Sequence, residues 1–158
     1  MRALVRCEVE VAAPAAVVWS YVTDWPRQGE WIPLTRVETV PPGAAADRVG
    51  GRVRAWTGIG PAGFWDPMTI TAWAQEPDGS ARCEVLHTGR VVRGDGEFSV
   101  QALGSSTSRF VWRERLEIPA GPIGAALWRL LGWTMTLGVD AALRRLARRA
   151  EELHARGR

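Results

Sequence analysis

The clearest pattern in the chain lies at its start. Between Leu4 and Val11 the apolar Val5, Cys7, Val9 and Val11 alternate with Arg6, Glu8 and Glu10. That predicts a half-buried antiparallel strand with one core face and one polar face. Ala13-Pro14 then opens a short helix through Val22, because proline is harmless where a helix start has no N–H partner anyway. Asp24-Trp25-Pro26 ends it, since the residue before a proline is biased away from the helical region. A second short turn or helix is expected over 27–31.

Six further strand segments follow, over 35–40, 52–57, 68–74, 82–88, 91–102 and 108–118, making seven in all. Pro41-Pro42-Gly43, Pro77-Asp78-Gly79 and Gly104-Ser105-Ser106 separate them with turn chemistry. The segment Gly58-Ile59-Gly60-Pro61-Ala62-Gly63 reads either as a flexible lip over a pocket mouth or as a plain long hairpin connection. After Pro119-Ala120-Gly121-Pro122 the period becomes helical. Leu127, Leu130, Thr134, Leu137 and Ala141 form one stripe, and Leu143, Leu146, Ala150 and Leu153 another. Gly132 and Gly138 predict an interruption in that helix. Arg129, Asp140 and those glycines argue against a membrane span, so the segment is expected to lie across a sheet.

Composition narrows the class. At 158 residues, 46% apolar and 23% charged, residues 1–158 read as one globular domain. Two cysteines cannot build a disulfide framework, and the opening segment lacks the apolar run of a signal peptide. Both point to a cytoplasmic location. All 20 basic residues are arginine, with no lysine, which suits a genome-wide codon bias of a bacterial source better than selection at single sites. The net charge of +3 gives no reason to expect a nucleic-acid partner. Nine tryptophans stand against one tyrosine and three phenylalanines. They can pack a core or line a large apolar cavity.

The order strand, two short helices, six strands, long helix resembles the START-like helix-grip fold of the SRPBCC superfamily, in its polyketide cyclase/dehydrase-like branch. The likeness rests on Val9 to Pro14 with Val17-Val18-Trp19, on Asp24-Trp25-Pro26 with Trp31, and on Met68 to Trp73. Gly96 to Val100 and Phe110 to Glu114 complete it. The resemblance implies an α+β fold in which a seven-stranded curved antiparallel sheet wraps the C-terminal helix, with a ligand cavity between them. It implies a small hydrophobic or aromatic ligand such as a lipid, quinone or polyketide, and no cofactor. Val85, Phe98, Phe110, Trp112 and Ile70 would form the sheet wall, Leu127, Leu130 and Thr134 the helix wall, and Phe64 and Trp65 the cover. Such a chain is a monomer or a homodimer without an integral membrane segment.

Two residues are candidates for chemistry. Glu114 is in phase with Phe110, Trp112 and Leu116, and an inward carboxylate in an apolar site is expected to have a raised pKa suited to a base or an anchor. The alternative is a structural carboxylate held by an arginine. His87 is in phase with Cys83 and Val85, so an inward imidazole could exchange protons near neutrality, or simply be a satisfied core residue. No His, Cys, Asp or Glu cluster has metal-ligand spacing, so no metal is expected. The function expected first is ligand binding. A cyclase/dehydrase-type enzyme using Glu114 or His87 is an alternative, and an interaction module using Arg144, Arg145, Arg148 and Arg149 is another.

Overall fold

The computed structural model describes residues 2–117 and 122–157, with the side chains of 122–136 excepted. Seven strands run β1 (Arg2–Val11), β2 (Thr35–Thr39), β3 (Arg52–Ile59), β4 (Ala62–Gln75), β5 (Ala81–Thr88), β6 (Arg93–Ala102) and β7 (Ser108–Glu117). Helix α1 (Ala15–Val22) and a 3-10 turn (Trp25–Glu30) lie between β1 and β2, and α2 (Pro122–Arg156) ends the chain. The strands form one curved antiparallel sheet in the order β1-β7-β6-β5-β4-β3-β2. The first strand thus pairs with the last, Val9 opposite Phe110 and Val5 opposite Glu114. This is the helix-grip architecture.

Alternation fixes the two faces. On β1 the residues Ala3, Val5, Cys7 and Val11 are buried, while Arg6, Glu8 and Glu10 are exposed. Partners across a ladder share a face, so this places Phe110, Trp112 and Glu114 inward on β7, and Phe98 and Val100 inward on β6. A bulge in β4 between Ile70 and Ala72 shifts the register by one residue. Trp73 therefore returns to the inner face, where it packs edge-on against Trp19 of α1 at 5.1 Å between ring centroids.

The helical layer is pinned to that inner face. Gln28 Nε2 donates to the Val22 carbonyl at 2.7 Å, and Trp25 Nε1 to the Ala46 carbonyl at 2.8 Å. In α2 the residues Val139, Ala142, Leu143, Leu146, Ala147 and Ala150 are buried. Glu151 Oε1 accepts from the Ala12 amide at 2.9 Å, tying the end of α2 to the end of β1.

Two expectations need correction. The helix is unbroken from Pro122 to Arg156; about 1 kcal/mol per glycine does not interrupt so long a cooperative run. Of the two stripes read along it, the second faces the sheet, whereas Leu137 and Ala141 of the first are exposed. The segment Gly58–Gly63 is neither a lip nor a long connection. β3 continues to Ile59, β4 starts at Ala62, and only Gly60 and Pro61 turn between them, with Gly60 at φ +56°. That is the left-handed first position of a tight hairpin turn, which glycine adopts without strain.

Candidate functional site

On the inner face, near the sheet end that carries the β5–β6 loop, three ionisable side chains meet. His87 on β5 donates from Nδ1 to Asp66 Oδ2 on β4 at 2.8 Å, and its Nε2 lies 3.0 Å from Glu114 Oε2 on β7. Trp112 Nε1 donates to the other oxygen, Glu114 Oε1, at 2.6 Å. The side chains of His87, Asp66 and Glu114 are only 6%, 11% and 8% exposed. This is a buried relay running Asp66, His87, Glu114, Trp112.

Local sequence builds each part. His87 and Glu114 point inward because they hold the apolar parity of Cys83 and Val85, and of Phe110 and Trp112. They belong to strands separated by β6, and the imidazole crosses that strand at Gly96. A Cβ on Gly96 would lie 2.9 Å from both Glu114 carboxylate oxygens and 3.1 Å from His87 Nε2. The glycine leaves the space that the relay occupies. Burial by itself pushes the His87 pKa down. The hydrogen bonds and charges of Asp66 and Glu114 outweigh it and raise the value from 6.5 to about 10. His87 is accordingly an imidazolium at neutral pH, with both ring nitrogens engaged.

Glu114 therefore meets neither a buried arginine nor water and aromatics alone; its partners are an imidazole and an indole. The structure brings the two sequence candidates into contact and adds a third group that sequence reading passed over. Asp66 sits in phase with Met68 and Ile70, and extending β4 two residues toward its start would have exposed it as an inward carboxylate. The two cysteines play no part in the relay. Burial pushes Cys83 up to about 12, and burial together with Asp140 raises Cys7 to about 11, so neither is a ready thiolate.

The expected wall residues divide. Phe98, Phe110 and Trp112 are inward and form one cluster, with ring centroids 5.2 Å apart for Phe98 and Trp112. Trp31, which follows the 3-10 turn, plugs into all three, at 5.8 Å from Trp112, 6.1 Å from Phe110 and 6.3 Å from Phe98. It is wholly buried, as are Phe110 and Ile70, and Val85 nearly so. Trp31 thus sits in the middle of the wall. Phe64 has inner-face parity, but Trp65 does not, because consecutive strand residues must face opposite ways. Trp65 lies on the outer face with Trp56 at 5.4 Å and the Arg54 guanidinium 4.3 Å over its ring, so it does not cover the inner site. Leu127, Leu130 and Thr134 lie outside the residues whose side chains are described.

The outer face carries a ladder of opposite charges, including Arg109 with Glu10 at 2.7 Å and Arg115 with Asp95 at 3.2 Å. An open groove of about 390 Å³ there is lined by Leu86, Thr88, Asp95 and Arg115, with His87 at its margin. Among the described residues no His, Cys, Asp or Glu group is arranged to hold a metal ion, and no helix is long and apolar enough to cross a membrane.

A family model described as polyketide cyclase/dehydrase and lipid transport matches residues 2–151. No curated protein matches the chain by sequence. Among solved structures, the chain is similar to the ZhuI aromatase/cyclase from Streptomyces sp. R1128 (TM-score 0.71, 20% identity, covering 96% of this chain and 94% of that one). It is similar also to a START superfamily protein from Mycobacterium smegmatis (TM-score 0.67, 18% identity, covering 95% and 98%). A third similar structure comes from Thermus thermophilus (TM-score 0.74, 19% identity, covering 94% and 97%).

Proposed function

The chain belongs to the polyketide cyclase/dehydrase and lipid-transport family, and from that premise we propose that it holds a small hydrophobic or aromatic molecule against the inner face of the sheet, beside α2, with the Asp66–His87–Glu114 relay engaging the ligand's polar group. The observation that carries this reading is the relay itself. Three charged groups buried together cost several kcal/mol each in lost hydration, and well-packed apolar residues would commonly stabilise a fold more. A buried ionisable cluster on a concave face is a recurrent mark of a binding or reaction site.

A second reading, proton transfer of the cyclase/dehydratase type, is favoured by the contact between His87 and Glu114. Both imidazole nitrogens are engaged, so His87 is not the free base in this arrangement. A proton taken from carbon beside a carbonyl would pass to a carboxylate oxygen, and the imidazolium would stabilise the negative charge left on the substrate.

Thermal unfolding against a panel of naphthols, quinones, aromatic polyketides and fatty acids tests the binding reading. A ligand present at about 100 times its Kd is expected to raise Tm by about 5–10 °C. A folded protein whose Tm no compound moves would overturn the proposal. Turnover of a polyketide that Glu114→Gln abolishes while binding persists would establish the second reading.

A further inference from the structure

The strand at one margin of the sheet is left open. β1 pairs with β7 along its whole length of 10 residues without a bulge, and no strand lies on its other side. Among the described residues no side chain or loop main chain bonds to the backbone of Arg2–Val11 on that edge; the bond from Glu151 goes to the Ala12 amide just beyond it. Helix α2 meets β1 from the inner face, where Asp140 stands beside the Cys7 thiol. An open edge is ordinarily blunted by shortness, proline, a bulge or an inward-pointing charge. β1 has none of these, and its charges all lie on the outer face. The opposite margin differs. β2 has only 5 residues, and the 3-10 turn lies so close against it that a Cβ on Gly29 would stand 2.7 Å from the Thr35 carbonyl oxygen.

We infer that the β1 edge docks a second copy of this chain, the two strands pairing antiparallel about a two-fold axis at Cys7 to make one continuous sheet. The charge pattern selects that register. Opposed residues of a ladder share a face, so the axis passes through a residue and never between two. An axis at Arg6 or at Glu8 sets that residue against its own copy, and one at Val9 opposes Glu8 to Glu10. An axis at Val5 avoids like charges but overlaps residues 2–8 alone, against 3–11 for an axis at Cys7. At Cys7, Arg6 meets the partner's Glu8 twice over, Leu4 meets Glu10, and no like charges are opposed. Arg6 stands directly opposite Arg113 within its own chain, an unfavourable pair that a further carboxylate relieves. Val9, half-buried while the other inward residues of β1 are buried, gains the partner's Val5 as its neighbour. Such an isologous contact closes on itself and leaves no open β1 edge.

Sedimentation velocity and amide hydrogen exchange of the full chain, over a concentration series up to about 500 μM, test this. Strand pairing buries less than a standard interface, so a dimer is expected with a Kd of about 1–100 μM. Alternate amides of β1 should become protected as concentration rises. Arg6→Glu and Glu8→Arg each set like charges across the axis and should weaken the dimer at least about tenfold. The two substitutions combined oppose unlike charges again and should return Kd to within about threefold of the wild type. Both side chains are exposed, so every variant should keep the wild-type thermal unfolding curve. With the axis at Val5, Arg6 would face Leu4 and its reversal alone would leave Kd unchanged. A monomer at every concentration, a dimer indifferent to Arg6→Glu, a double variant that fails to recover, or β1 amides that exchange alike throughout the series overturns the inference. Ligand binding on the inner face is untouched by any of these outcomes.

Discussion

Arg115 and Asp95 meet at 3.2 Å on the outer face with both side chains more than half exposed, and His87 and Glu114 meet at 3.0 Å on the inner face with less than a tenth exposed. The two contacts are built from similar groups at similar distances, on strands of one sheet. Water screens the first pair and leaves it worth roughly 0.2–1 kcal/mol. The second has lost its hydration, and its stability rests on the completeness of its hydrogen bonds. Outer charges of this kind keep a large sheet soluble. Inner ones require a reason beyond folding, which is why the relay, and not the longer ladder, is the place to look for function.

The sharpest way to break the comparison is to remove the shared cation. His87→Ala should destabilise the fold by about 3–5 kcal/mol in urea unfolding, because two buried carboxylates lose their partner at once. Replacing all three together, Asp66→Leu, His87→Phe and Glu114→Leu, should recover most of that while eliminating ligand binding. A loss below about 1 kcal/mol for His87→Ala would mean that the inner contacts behave like outer ones.

Acidity separates the faces next. His87 has a folded pKa of about 10 against an ordinary 6.5, so it is raised by folding. Its stabilising contribution is complete below pH about 6.5 and is lost as pH climbs through about 10. The urea midpoint should fall steadily over that window in the wild type and stay flatter in His87→Gln. NMR of the imidazole carbons should find His87 still protonated at pH about 8; a neutral ring there would remove the charge from the relay. Smallest of all, Arg115→Ala should shift stability by no more than about 1 kcal/mol, and salt near 1 M should abolish even that difference.

Much of this contrast was legible in the chain. Period-two alternation in β1 and β7 assigns Glu114 inward and Arg6, Glu8 and Glu10 outward without any coordinates, because a strand permits only two directions. The other strands follow from the same signal, and the helices from proline placement and the 3.6-residue period. The pairing of His87 with Glu114 did not, since it depends on β5, β6 and β7 lying side by side and on a residue with no side chain between them. Asp66 escaped because glycines and a proline before it read as a loop, where the chain in fact makes a two-residue turn and begins β4 early. Trp65 was misplaced by treating it and Phe64 as a unit, which alternation forbids. Long-range register and tight glycine turns are the two things that local periodicity does not encode.

Gly96 bears on whether this chemistry is portable. A designer who grafts an aspartate, a histidine and a glutamate onto neighbouring strands of another antiparallel sheet would copy three residues, yet the strand the imidazole must cross also needs its side chain deleted at one register position. With even a methyl group there, set 2.9 Å from the glutamate oxygens, the transplanted groups would splay apart and stand as separate buried charges. The smallest unit that can be moved intact is therefore four positions on four adjacent strands, one of them defined by what it lacks.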